Sequence, residues 1–118
     1  MTQTMKIAAY NQNQKLLFHM ANSKSGITRQ DAMVNLGIAN VTARISDLDN
    51  MMFWSRLGYG QGTVIGQVGR TKLTHPATGQ TYMRYRLSAE QRNKLVAEGF
   101  LVKGVDGVYY PTNKVKTW

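Results

Sequence analysis

The sequence predicts an α+β domain: a three-helix core, a basic β-hairpin, and then a C-terminal helix with a short second hairpin. Three observations lead there. Residues 27–52 hold two short helical patterns separated by one glycine. Residues 63–87 read as strands around a turn, His75-Pro76-Ala77-Thr78-Gly79. Residues 88–112 give a helix start and then two apolar runs around Asp106-Gly107.

Residues 1–10 carry one charge, Lys6, and little periodicity; they read as an N-terminal arm or a short strand. Asn11 or Asn13 can cap a first helix that reaches Asn22, with Leu16, Leu17, Met20 and Ala21 on its inner face. Ser23–Gly26 is a loop. Thr28 then caps a second helix, and Asp31, three residues on, resembles the partner in a capping box. Ala32, Met33 and Leu36 form its apolar face, Gly37 stops it, and Ile38 packs into the corner.

The third helix spans 39–52. Val41, Ile45, Leu48 and Met52 fall on one stripe at the helical repeat. The other side carries Asn40, Thr42, Ala43, Ser46, Asp47 and Asn50, which are short and mostly polar. A merely solvated face would favour Lys and Glu. A helix in a DNA major groove needs short donors and acceptors and little bulk. Arg44 lies nearer the buried stripe, so it can reach bases or backbone, or else pair with Asp47 or Asp31.

Met51-Met52-Phe53-Trp54 is more apolar than one helix face requires; it completes the core or forms a homodimer contact. Gly58–Gly62 reads as a loop, and its glycine spacing does not match a dinucleotide-binding turn. Thr63–Thr74 reads as one or two strands, and Gln80–Leu87 as the strand that completes the hairpin. Alternation puts Tyr82, Arg84 and Arg86 on one face and Met83, Tyr85 and Leu87 on the core face. Ser88, with Gln91 three residues on, starts a helix that runs to about Glu98 and ends at Gly99. Phe100-Leu101-Val102 and Val108-Tyr109-Tyr110 then pair, and 113–118 is a tail. All of 11–118 is one domain, with 88–112 as an extension.

Net charge is +9, and the apolar fraction of 42% allows a packed core. The isoelectric point of about 10.1 favours an anionic partner, nucleic acid first. Residues 50–89 contain Arg56, Arg70, Lys72, Arg84 and Arg86 and no acid. There is no cysteine, which excludes disulfides, thiol catalysis and cysteine-ligated zinc. No secretory signal or membrane span is legible, so the expected location is cytoplasmic. Asn40-Val41-Thr42 matches a glycosylation sequon by chance. His19 and His75 have no carboxylate near them in sequence. Asp47 and Asp49 diverge by about 200° on a helix and cannot share a metal. No enzyme, metal or cofactor is expected.

Gly26-Ile27-Thr28, Asp31-Ala32, Gly37-Ile38 and Ala43-Arg44-Ile45-Ser46-Asp47-Leu48 resemble a small helix-turn-helix family common in phage and prophage proteins. The likeness covers residues 13–55 well and the rest in outline. A glycine often ends the recognition helix in that family; here Met51–Trp54 stands in its place.

The resemblance implies a winged helix-turn-helix that binds double-stranded DNA as a transcriptional regulator of phage type, acting in the host cell's cytoplasm. On that reading Asn40, Thr42, Ala43, Arg44 and Ser46 reach bases. Thr28, Arg29, Arg70, Lys72, Arg84 and Arg86 contact phosphates. Two alternatives stay open. One is an architectural DNA protein such as a recombination directionality factor. The other is a winged-helix module that binds a host protein.

Overall fold

Asn11, with its side chain turned back onto the chain, starts the first helix. The computed structural model describes residues 10–59, in 51–59 by the backbone alone, and residues 68–115. In α1 (Gln12–Asn22) the Gln14 N–H donates to Asn11 Oδ1 at 2.8 Å, and the Asn11 N–H donates to Gln14 Oε1 at 2.9 Å. Two orphan donors of the first turn are satisfied reciprocally. The same two side chains hold the far end of the chain: Asn11 Nδ2 donates to Val115 O, and Gln14 Nε2 to Thr112 O. Val115, expected within a tail, is therefore packed and buried, whereas Asn113 and Lys114 are exposed. Tyr10, assigned to the arm, is also buried; residues 1–9 and 116–118 lie outside the described residues.

A strand that the sequence reading missed follows the loop. β1 (Ile27–Thr28) pairs antiparallel with β3 (Thr81–Arg86), Ile27 opposite Tyr85 and Thr28 opposite Arg84. Gly26 makes this approach feasible. Its φ is 78°, and a Cβ there would stand 2.2 Å from the Tyr85 carbonyl oxygen. α2 (Arg29–Leu36) starts with the capping box expected at Thr28 and Asp31 and ends at Gly37 in the left-handed conformation, φ 67°. Ala32 and Ile38 are buried as expected, but Met33 is exposed. Its place on the inner face needs correction, because an eight-residue helix buries little more than Ala32 and part of Leu36.

α3 (Val41–Tyr59) begins one or two residues later than expected and runs seven residues beyond Met52. The expected end came from the apolar period, and residues 53–57 contain neither glycine nor proline to stop a helix. Gly58 and Tyr59, expected in a loop, belong to this helix, while 60–62 and the strand residues 63–67 lie outside the described residues. The stripe of Val41, Ile45 and Leu48 is buried.

β2 (Gly69–Thr74) pairs antiparallel with β3, giving a three-stranded sheet in the order β1-β3-β2. The turn lies where Pro76–Gly79 places it: His75 N–H donates to Gln80 O, and Gly79 N–H to His75 O. Tyr85 and Leu87 are buried and Met83 is partly so, as alternation requires. α4 (Ala89–Ala97) has Ser88 and Gln91 in a capping box. β4 (Leu101–Lys103) and β5 (Tyr109–Pro111) form the second hairpin, one residue later on each strand than expected. Gly104 N–H donates to Val108 O, so Val105-Asp106-Gly107 is a three-residue loop and not a two-residue turn.

The result is a mixed α+β fold with four helices and antiparallel strands among the described residues. Leu16, Leu17 and Met20 of α1 meet Ile27, Ile38, the α3 stripe, Tyr85, Leu87, Leu95 and Leu101 in one core. Each such side chain contributes about 1.5–3 kcal/mol by leaving water.

Candidate nucleic-acid interface

The exposed edge of α3 carries Thr42 and Ser46, with Ala43 half-buried beside them. Asn40 is exposed just before the helix. Its Oδ1 accepts the Ala43 N–H at 3.2 Å, so this side chain caps α3 and leaves its amide NH2 to face outward contacts. Arg44 is mostly buried and pairs with Asp47 at 3.2 Å, one of the two internal partners its position allowed. Asp47 also accepts from Asn13 Nδ2 of α1 at 3.2 Å. The expected base-contacting residues thus divide. Asn40, Thr42 and Ser46 line an open edge, whereas Arg44 is engaged in a bridge between α1 and α3.

The hairpin cations divide as well. Directly opposed residues of an antiparallel ladder project to the same face. Arg70 lies opposite Tyr85 and Lys72 opposite Met83, so both share the face turned to the helices. Arg84 lies opposite Thr71 and Thr28, and Arg86 opposite Gly69, so these two share the outer face with Tyr82. The six expected phosphate contacts therefore do not form one surface.

Arg70 is the most tied of them. One guanidinium nitrogen pairs with Asp49 Oδ2 of α3, and the other donates to Val68 O at 2.9 Å. Asp49 Oδ1 accepts the Val68 N–H at 2.9 Å, and the guanidinium lies 5.9 Å from the Tyr85 ring centroid. Asp49 and Arg70 latch the hairpin to α3. Sequence reasoning missed this, since nothing local links residues twenty-one positions apart. By contrast Arg29, Lys72, Arg84 and Arg86 have no acidic partner among the described residues. Thr28 both caps α2, accepting the Asp31 N–H at 3.1 Å, and pairs with β3.

A polar cleft of about 370 Å³ opens between the first turn of α2 and the outer face of the hairpin. Thr28, Arg29 and Arg84 reach it together with Tyr82, His75 and Gln80, none of which the sequence reading assigned to a site. Among the described residues no cluster of three or more His, Asp or Glu could hold a metal ion, and no helix is long and apolar enough to cross a membrane. Comparison with known protein families, characterised proteins and solved structures finds no match for this chain.

Proposed function

We propose that the chain is a winged helix-turn-helix protein that binds double-stranded DNA, a transcriptional regulator of phage type working in the cytoplasm of the host. The order helix, strand, two helices and a hairpin, with β1 beside β3, supports this reading. α2 and α3 are the helix pair, and β2–β3 is the wing. α3 enters the major groove and presents Asn40, Thr42, Ala43 and Ser46 to base edges, with Arg44 beside them. Thr28, Arg29, Lys72, Arg84 and Arg86 hold phosphates. The observation that carries the reading is the pairing of a short, polar, exposed helix edge with a set of cations that no acid neutralises among the described residues.

A selection from a random-sequence duplex library, repeated at several salt concentrations, tests this. Enrichment of one motif with affinity falling in salt supports a regulator; no binding at low salt overturns it. With the selected site in hand, Asn40→Ser keeps a capping oxygen and removes the amide. It should weaken that site by about 1–3 kcal/mol and leave random duplex unchanged.

One observation favours a second reading. Two arginines at α3 are already neutralised, Arg44 by Asp47 and Arg70 by Asp49. A protein whose free charge lies away from its base-reading edge suits architectural binding, in which backbone contact and bending dominate. Library binding without enrichment, together with bending of the duplex, would favour it.

A further inference from the structure

We propose that the pocket bounded by the end of α1, the loop before β1, α4 and the second hairpin binds a single phosphate-type oxyanion between Lys24 and Arg92. The pocket shares no residue with the α3 edge or with the cleft beside α2, and it does not depend on the DNA reading.

Four parts of the chain meet here. Asn22, the last residue of α1, fastens the hairpin: its Oδ1 accepts the Tyr109 N–H and its Nδ2 donates to Tyr109 O, both at 2.8 Å. Gly107 and Tyr109 thereby form a fixed wall beside Lys24 of the loop and Arg92 of α4. Arg92 is half-buried, and its Nη1 donates to Leu87 O at 3.2 Å. That bond sets the guanidinium in place and uses only one of its five N–H groups. A seat ordered in advance loses little on binding.

The polar groups left to a ligand are donors. Asn22 Nδ2 already covers Phe18 O and Tyr109 O, and the Gly26 N–H covers Ser23 O. Asp106, next to Gly107, accepts from the Val108 N–H and the Tyr110 hydroxyl. Lys24 and Arg92 have no acidic partner among the described residues. Two convergent cations beside engaged acceptors select an anion, and their hydrogen bonds to it are charge-assisted.

Size narrows the class. The volume is about 190 Å³. Drug-sized ligands need about 300–1,000 Å³, and a water takes about 30 Å³ of the liquid. A tetrahedral oxyanion with a few waters fits, and a whole nucleotide does not. The oxyanion is either free phosphate or one phosphate of a nucleic-acid strand passing the rim, and the test separates the two.

That test titrates the intact chain with inorganic phosphate at constant ionic strength and follows amide NMR shifts. The Ser23, Lys24, Gly107 and Tyr109 signals should move and saturate; sulfate should act like phosphate, and chloride should leave them still. Lys24→Gln and Arg92→Gln should each weaken binding several-fold, Lys24→Arg should keep most of it, and Arg84→Gln should not change it. Lys24 is exposed, so its variant decides the matter even where Arg92→Gln unfolds. Random-sequence duplex in place of phosphate assigns the source. Saturating shifts at the same amides, lost in Lys24→Gln, mean a nucleic-acid strand; unmoved signals while phosphate still binds mean the free ion. No saturating shift at these amides with either probe, or equal weakening by Arg84→Gln, overturns the pocket. Absence of duplex binding alone overturns the DNA reading and leaves the pocket standing.

Discussion

The two faces of the β2–β3 hairpin use the same residue types for different ends. On the helix-facing side, Arg70 is held by Asp49, by the Val68 carbonyl and over Tyr85, so its charge serves the fold. On the outer side, Arg84 and Arg86 have no acid within reach among the described residues. A basic stretch free of acids reads as one uniform patch in sequence. The ladder register separates Arg70, which the fold has used, from Arg84 and Arg86, which stay available to a partner on the outer face. Charge count alone does not identify a binding surface; what matters is which charges the fold has already used.

The tyrosines offer the sharpest way to break this comparison. Tyr85 is buried and Tyr82 is 37% exposed, three residues apart and on opposite faces of β3. Tyr85→Ala should cost about 3 kcal/mol in urea unfolding, and Tyr82→Ala less than about 1 kcal/mol. Equal losses would mean that the two faces are not distinct.

Next in size is the latch. Asp49→Ala strands the Val68 N–H and the Arg70 guanidinium together, at a cost of about 1–2 kcal/mol. Arg70→Gln should cost less, because that side chain is partly exposed. The double variant should be no worse than Asp49→Ala alone, and strict additivity in the cycle would deny the coupling. On the outer face, Arg86→Gln should leave unfolding unchanged within about 0.5 kcal/mol and should flatten the DNA salt slope by about 0.9. A matching change for Arg70→Gln would erase the distinction between the faces.

The smallest effect concerns the second hairpin. The Val108 N–H, and then the Tyr110 hydroxyl, hold the Asp106 carboxyl below its ordinary value. Because the folded value is the lower one, the loop's stabilisation is complete above the ordinary carboxylate range and is lost as pH falls through the lowered value. The protection of the Val108 amide, its exchange rate taken against the intrinsic rate at each pH, should fall in that acidic window in the wild type. Asp106→Asn should remove the pH dependence, and an unchanged profile would contradict the assignment.

Most of what was legible in the sequence is local. Capping boxes at Thr28 and Ser88, the stop at Gly37 and the turn at Pro76–Gly79 are set by residues three or four apart. The stripe of Val41, Ile45 and Leu48 and the inward Met83, Tyr85 and Leu87 follow from periodicity. What escaped is long-range. Two-residue β1 carries no pattern of its own and exists because β3 lies alongside it. The Asp49–Arg70 latch and the cleft at Arg29 and Arg84 are products of ladder register, which composition does not encode. α3 runs past the expected end because an apolar stripe marks a buried face and not a helix terminus.

The most direct measurement is the affinity of the intact chain for random-sequence duplex as a function of salt. With Arg29, Lys72, Arg84 and Arg86 free to meet phosphates, the account predicts a log–log slope of at least about −3.6 in magnitude, roughly 0.9 for each side chain. A slope shallower than about −1, or no binding at low salt, would contradict the claim that these cations face DNA.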